Sequence, residues 1–532
     1  MPTANLFLLL LPLTLVLVGA LVSLGFEPFL QRATKHALIP WLSATFLVLA
    51  GVAQAFAEPG HLHGILAMDH SRMWLCEAIL AAALCSIAGM QQSLGRDEHP
   101  GGEAYALTML ATIGALIMTM ANDSLALFVG IELASLSIYA MVGLRRTRPE
   151  SNEALFKYFV MGSVFSAIFL YGSALTYGAT GFTAFGHAPI DVQHANLLQF
   201  GQVLMIIGLL FKVGVVPFHF WAPDAYTGAP IAVTGFMGAV IKVGGFAALG
   251  AIWLNLAAVM SGTHNGGVLN LGDAVTLTAG GVDKLEKLNL AFLVLGLLSL
   301  VLGNFSALKQ TSARRIVAYS SIAHGGYMML AFALPMVVGE RLQLGSLWFY
   351  LVGYAIATAG ALSAFAAISG KNDQGDSLSG LAGQGRAQPF YGLVLTVFLI
   401  SMAGIPPTVG FLGKFLIFAD LVAKGKMMIA VFAMVMAVVG AAYYLRMIVA
   451  LWAATNKEPA IAPTPMLARW SLASAAIAVV LLIAWPNSLT KGSGMQAQAA
   501  PTAPAAAAPT APAAAAPTVQ PAIVPAAAVT PR

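Results

Sequence analysis

Phe211-Lys212-Val213-Gly214-Val215-Val216-Pro217-Phe218-His219 (211–219) sets a lysine at the end of the apolar run Val203–Phe211 and a proline shortly after it. Proline has no N–H to donate to the carbonyl four residues back, and its ring collides with that carbonyl. A helix entering from Val203 is therefore interrupted just after Lys212. A second interruption is spelled by Gly404-Ile405-Pro406-Pro407, followed by Gly410-Phe411-Leu412-Gly413-Lys414-Phe415. Pro217, Pro406 and Pro407 are thus the expected helix breaks, with lysine before proline in the first and after it in the second. Interrupted helices at corresponding positions of two halves point to a transport site in an inverted-repeat transporter.

The surroundings of both breaks belong to a membrane. Of the 532 residues, 59% are hydrophobic and 9% charged, against about 25% charged in an ordinary soluble domain. Runs such as Leu6–Leu24, Ala104–Met120, Leu125–Leu144, Leu290–Leu302 and Met427–Tyr444 are almost free of charge. Counted at roughly 20 apolar residues per crossing, the chain holds about 14 transmembrane helices. Helices are implied, because barrel strands would alternate apolar and polar residues. The expected architecture is an all-α polytopic membrane protein with two inverted five-helix repeats whose broken helices are the seventh and twelfth. Helices 1–3 occupy residues 1–103, the first repeat 104–257, an outside loop 258–287, the second repeat 288–452 and helix 14 residues 453–491. Residues 492–532, with Ala-Pro-Thr-Ala-Pro-Ala-Ala-Ala at 500–507 and again at 508–515, read as a disordered tail. Met1–Asn5 carries no basic residue and the apolar stretch behind it is too long for a secretion signal, so the first helix is read as retained. Lys and Arg concentrate in alternate loops, notably at Arg145, Arg146, Arg148, Lys309, Arg314 and Arg315. By the positive-inside rule these loops face the cytoplasm and both termini the periplasm, across a bacterial inner membrane.

Ionisable residues inside the apolar runs carry the chemistry. Glu132, Lys157, Lys212, Lys242 and Lys414 all fall within expected spans. At 1.5 Å per residue Glu132 is roughly 10 Å deep, Lys212 about 13 Å and Lys242 about 16 Å. A charge at the bilayer centre costs at least ~2.5–3.5 kcal/mol, and such residues usually mark ion or proton pathways. A structural ion pair explains one lysine with one carboxylate, but not a surplus of lysines on separate helices. A lysine whose neighbouring carboxylate moves closer or further away can gain and lose a proton. His219 and His324, alone of the ten histidines, lie in expected spans, and histidine relays protons near neutral pH. His61, His63, Asp69 and His70 lack paired-ligand spacing, so no metal is expected. Cys76 and Cys85 are too few to hold an iron–sulfur cluster.

Moving one charge against 100 mV takes ~2.3 kcal/mol. The sequence has no phosphate-binding G-x-x-x-x-G-K-[ST] loop and no haem or flavin signature. The energy must come from a partner or from an opposing ion gradient. The net charge of +5 follows from the loop bias and implies no nucleic-acid partner.

LALFVGIELASL (125–136), ALFKYF (154–159), YGATG (177–181), FKVGVVPFHFWAPDAYTGAP (211–230), QTSARRIVAYSSIAH (310–324) and AGIPPTVGFLGKF (403–415) resemble the N subunit of bacterial NADH:quinone oxidoreductase, respiratory complex I. The resemblance spans roughly residues 100 to 450. It implies a proton-translocating subunit driven by quinone reduction elsewhere in the complex. It makes Glu132 the acidic residue of the fifth helix, Lys212 its partner, Lys242 the central lysine, His324 a relay and Lys414 the residue exchanging protons with the outside. Lys157 and His219 would support them. A lysine at 414 is similar to the N and L types rather than the M type, and no long C-terminal lateral helix follows Trp485. The resemblance also implies no cofactor in this chain, with FMN, iron–sulfur clusters and quinone in partner subunits. Expected partners are M-, K- and J-type subunits, the lateral helix of an L-type subunit and the lipid bilayer. A Mrp-type cation/proton antiporter subunit, or a subunit of a complex I-related membrane hydrogenase, resembles the same pattern.

Overall fold

The computed structural model describes residues 6–96, 101–187, 194–261, 271, 279–333, 336–338, 341–454 and 465–484. Apolar runs whose backbone polar groups must be satisfied within the segment become helices. They run α1 Leu6–Phe26, α2 Arg32–Ala55, α3 His70–Arg96, α4 Gly102–Met120, α5 Ser124–Val142, α6 Pro149–Thr180, α7 His194–Val213, α8 Trp221–Gly228, α9 Ile231–Phe236, α10 Lys242–Ser261, α11 Ala279–Lys309 and α12 Ala313–Ala333. After these come α13 Gly345–Ile368, the short α14 Leu378–Leu381 and α15 Gln384–Ala387, then α16 Pro389–Ala403, α17 Val409–Ala423, α18 Met427–Trp452 and α19 Met466–Leu481. Two small antiparallel hairpins, β1 Gly60–Leu62 with β2 Leu66–Met68 and β3 Met336–Val338 with β4 Arg341–Gln343, join α2 to α3 and α12 to α13.

Among the described residues, 13 helices are long and apolar enough to cross a membrane. The shorter pair α16 and α17 forms the interrupted crossing between α13 and α18. Both expected breaks are present: α7 ends at Val213 and α8 starts at Trp221, while α16 ends at Ala403 and α17 starts at Val409. Gly404 closes α16 at φ 82°, a left-handed conformation that glycine adopts without a Cβ penalty. Trp221 Nε1 donates to Phe211 O at 2.9 Å, a carbonyl that also accepts from Gly214 N at 3.1 Å, and so ties the two sides of the first break together.

The three innermost crossings, α9–α10, α12 and α13, are almost wholly buried. Around them α1, α2, α6 and α18 turn apolar side chains outward, as helices against lipid or other subunits do. Packed pairs recur: α4 lies on α5 and α11 on α12, α6 on α7 and α13 on α16, α4 on α10 and α11 on α18. Without water to drive helices together, close approach comes from small residues. Gly296 and Gly326 face each other across α11 and α12, where a Cβ on Gly326 would lie 2.8 Å from Gly296 O.

One expectation is corrected. Residues 258–287 are not simply a loop, since α10 continues to Ser261 and α11 begins at Ala279. Helical hydrogen bonds are local, so a helix continues past the end of its apolar run, here through the polar residues Asp283–Lys287. The remainder of that loop lies outside the described residues, as does the tail 492–532. The crossing that carries Lys242 is not a regular α-helix throughout. A π-helical turn, Met237–Ile241, precedes it, and such turns inside helices are frequent at functional sites.

Candidate proton path

Lys212, in the last turn of α7, is buried and reaches α5. Its Nζ donates to Ser135 Oγ at 2.8 Å and to Tyr139 OH at 3.3 Å. Glu132, Ser135 and Tyr139 recur at helical spacing on one face of α5, so the carboxylate is one turn from the serine that holds the amine. No ion pair within 4.0 Å joins Glu132 to Lys212 among the described residues, and Glu132 Oε1 is buried without a hydrogen-bond partner. Glu132 thus stands one turn along α5 from the serine that bonds Lys212, with no direct bond between the expected pair. A hydroxyl, which can both accept and donate, stands beside it.

α10 carries the next lysine. Gly245, one turn beyond Lys242, packs against Val213 and the Lys212 side chain, which brings the two lysine-bearing segments together. Lys242 Nζ donates to Ser321 O and to Ser321 Oγ, the latter at 2.7 Å. Ser321 Oγ also receives Tyr226 OH at 3.3 Å and Tyr354 OH at 3.1 Å. Gly325, adjacent to His324, packs against Val215 of the first break and against Lys242 Nζ.

One turn further along α12, His324 is held between two phenols. Its Nδ1 meets Tyr350 OH at 2.5 Å and its Nε2 meets Tyr444 OH at 3.0 Å. Its ring lies 5.0 Å from that of Tyr354, which itself bonds Ser321. Tyr444 OH continues to Ser320 Oγ at 2.6 Å. Another turn on, the Tyr327 ring lies 5.4 Å from Lys414 Nζ. Lys414 Nζ donates to Met402 O at 3.0 Å and Ala403 O at 2.9 Å, the free carbonyls at the end of α16.

That last contact accounts for the different order of lysine and proline in the two breaks. Lys212 occupies the final turn of the first half of its interrupted crossing. Lys414, from the second half, reaches back to the final turn of the first. Both lysines thus belong to a C-terminal half-helix end, where the helix dipole favours positive charge; the Lys414 amine takes up the stranded carbonyls there, and the Lys212 amine turns to the hydroxyls of α5.

Lys157 and His219 do not join this array. Lys157 lies on the outer surface of α6, with Nζ 2.6 Å from Glu153 and 2.9 Å from Asp224. Its stem is long enough for an outward amine to find carboxylates near the end of a helix that exceeds the bilayer thickness, which depth counting from sequence cannot reveal. His219 is half-buried in the first break, its Nδ1 unpartnered among the described residues. Missed from sequence were Ser135, Tyr139, Ser321, Tyr350, Tyr354 and Tyr444. Uncharged hydroxyls are common in transmembrane helices for packing, and only their facing positions distinguish them.

The family described as NADH:quinone oxidoreductase/Mrp antiporter, TM, matches residues 121–269 and 257–440. The NADH-quinone oxidoreductase subunit N of Trichlorobacter lovleyi is 32% identical over 462 residues, covering 85% of this chain and 88% of that protein. Its counterpart in Maricaulis maris is 34% identical over 488 residues, covering 89% and 94%. A chain of respiratory complex I from Thermus thermophilus with bound aureothin superposes with a TM-score of 0.71 at 30% identity, covering 90% of this chain and 98% of that one. A chain of the Mrp complex from Dietzia shares the fold, with a TM-score of 0.72 at 18% identity. On the family match and the extent of these similarities, the chain belongs to the subunit N family of NADH-quinone oxidoreductase, the antiporter-like membrane subunits of respiratory complex I.

Proposed function

We propose that, within complex I, this subunit passes protons along Glu132, Lys212, Lys242, His324 and Lys414, with Ser135, Ser321 and Tyr444 as the hydroxyls between them. The observation that carries the reading is the face of α12. Ser320 with Ser321, then His324, then Tyr327 stand on successive turns and link Lys242 at one end to Lys414 at the other. Among the described residues no carboxylate comes within 4.0 Å of Lys212, Lys242 or Lys414. Each ammonium is held by neutral oxygens and ring faces, so its charge is solvated without being cancelled, and a hydroxyl relay can carry a proton onward. Quinone reduction in partner subunits, where FMN and iron–sulfur clusters would reside, supplies the energy.

The packed pairs that recur between α4–α10 and α11–α18 support the reading of two inverted five-helix repeats, each with one interrupted crossing. The basic loops around Arg145 and Arg314 support a cytoplasmic placement for the end of the bundle where α9 begins, with the N-terminus periplasmic and the bacterial inner membrane as the site. The exposed apolar faces of α1, α2 and α6 suit cover by M-, K- and J-type subunits, the lateral helix of an L-type subunit and lipid. The test is the proton-to-electron ratio of the assembled complex in vesicles. Lys242→Ala should assemble yet pump less per electron, and a wild-type ratio would remove Lys242 from the path.

A further inference from the structure

A buried charge cluster lies at the end of the bundle where α9 begins, away from the lysines. Its centre is Asp373, in the segment after α13, 3% exposed and in the left-handed region at φ 57°. Asp373 Oδ2 accepts from Arg145 Nη1 at 2.6 Å and from Ile231 N at 3.2 Å, and lies 3.8 Å from Arg314 Nη1. Arg314 Nη1 also donates to Ala229 O at 2.8 Å, and its Nε lies 3.1 Å from Asp376 Oδ2. Asp376 in turn receives Ser312 Oγ at 2.7 Å and Arg314 N at 3.0 Å.

Arg145 directly follows α5, which carries Glu132 and Ser135; Ile231 opens the crossing that carries Lys242; Arg314 opens α12, which carries Ser321 and His324. Asp373 itself follows α13, which carries Tyr350 and Tyr354. One carboxylate thus joins the ends of all four of these helices. From Ile231 to Lys242 is about 16 Å of helix and from Arg314 to Ser321 about 10 Å. Over such lengths, rigid helices transmit a small tilt at their ends to the Lys242–Ser321 contact.

We propose that Asp373 is a positioning residue for proton transfer, fixing the register of α9–α10 against α12 so that Lys242 Nζ meets Ser321. The proposal rests on the path proposed above. A carboxylate buried in contact with arginine gives up its hydration, a cost that surface packing alone would not require, and its left-handed backbone is one that Asn and Asp adopt more readily than other L-residues.

Asn tolerates the left-handed conformation, so Asp373→Asn removes charge without adding backbone strain. The complex carrying it is quantified on native gels, and its proton-to-electron ratio is measured in vesicles beside Lys242→Ala. The expected result is assembled complex with a loss in the ratio as large as that of Lys242→Ala. A residue needed only for folding would lower the amount of complex and leave the ratio per assembled complex unchanged, so a wild-type ratio in Asp373→Asn overturns the proposal. If Asp373→Asn yields no complex, Arg314→Gln decides in the same measurement: it removes the α12 side of the register and leaves Arg145 and Ile231 N bonded to Asp373, and a wild-type ratio there overturns the proposal. A wild-type ratio in Lys242→Ala would overturn the path reading itself, so the two failures are distinguishable.

Discussion

Lys414 carries two roles that can be separated by substitution. It caps the carbonyls of Met402 and Ala403, and it is the last amine on the proposed path. An arginine there keeps the positive charge and can still donate to stranded carbonyls, but guanidinium cannot release its proton at accessible pH. Lys414→Arg should therefore assemble and pump poorly, while Lys414→Ala loses the cap as well and should also lower the amount of complex. Full pumping by the arginine variant, measured as protons per electron, would reduce Lys414 to a structural cap. Ser321 offers a complementary test. Ser321→Ala deletes the hydroxyl shared by Lys242, Tyr226 and Tyr354 and keeps the backbone carbonyl that Lys242 also uses. Leaving buried donors short of an acceptor costs about 1–3 kcal/mol. The variant should fold with a lowered thermal midpoint and a reduced proton-to-electron ratio; an unchanged ratio would show that the carbonyl contact suffices. Glu132→Gln keeps the size of a side chain that touches no amine directly. If it pumps at the wild-type ratio, the carboxylate one turn from Ser135 is not needed for transfer to Lys212.

At the scale of helices, sequence and structure agree where backbone chemistry decides. Pro217, Pro406 and Pro407 announce the breaks because a missing N–H and a ring clash are local properties, visible without any neighbour. Buried lysines announce themselves because a charge in an apolar run is costly wherever the helix packs. What faces each lysine is a property of two helices together. The partnership of Lys212 with Ser135, in place of a direct bond to Glu132, and the reach of Lys414 back to α16 became visible only with the packing. Lys157 shows the opposite failure, since depth along one helix does not say which way its side chain points. The close pair α11 and α12 provides an element-scale prediction. A Cβ on Gly326 would sit 2.8 Å from Gly296 O and 2.9 Å from Leu300 N, both backbone atoms that cannot swing aside. Gly326→Ala should force the helices apart at an overpacking cost of about 1–3 kcal/mol. A lower midpoint of thermal disassembly is the expected readout, and an unchanged midpoint would mean that the two helices accommodate a methyl at no cost.

At the scale of the molecule, three almost wholly buried crossings hold the centre of the proposed path, Lys242, Ser321 and His324, and outward-facing apolar helices surround them. Such a body is built to be embedded in lipid and in other subunits. Transport against a membrane potential must be driven, at ~2.3 kcal/mol per charge per 100 mV, and on the proposed function that energy comes from the complex. Solubilised gently, the chain should migrate with an assembly that oxidises NADH, whereas the separated chain should show neither NADH oxidation nor flavin absorbance. The Mrp-like fold sharpens the test, because an antiporter would work without the redox partners. Reconstituted alone in vesicles with an imposed sodium gradient, this chain should move no protons in response. Sodium-driven proton movement by the isolated chain, abolished by Lys242→Ala, would show that the path is powered by ion exchange and that redox coupling is not required for its turnover.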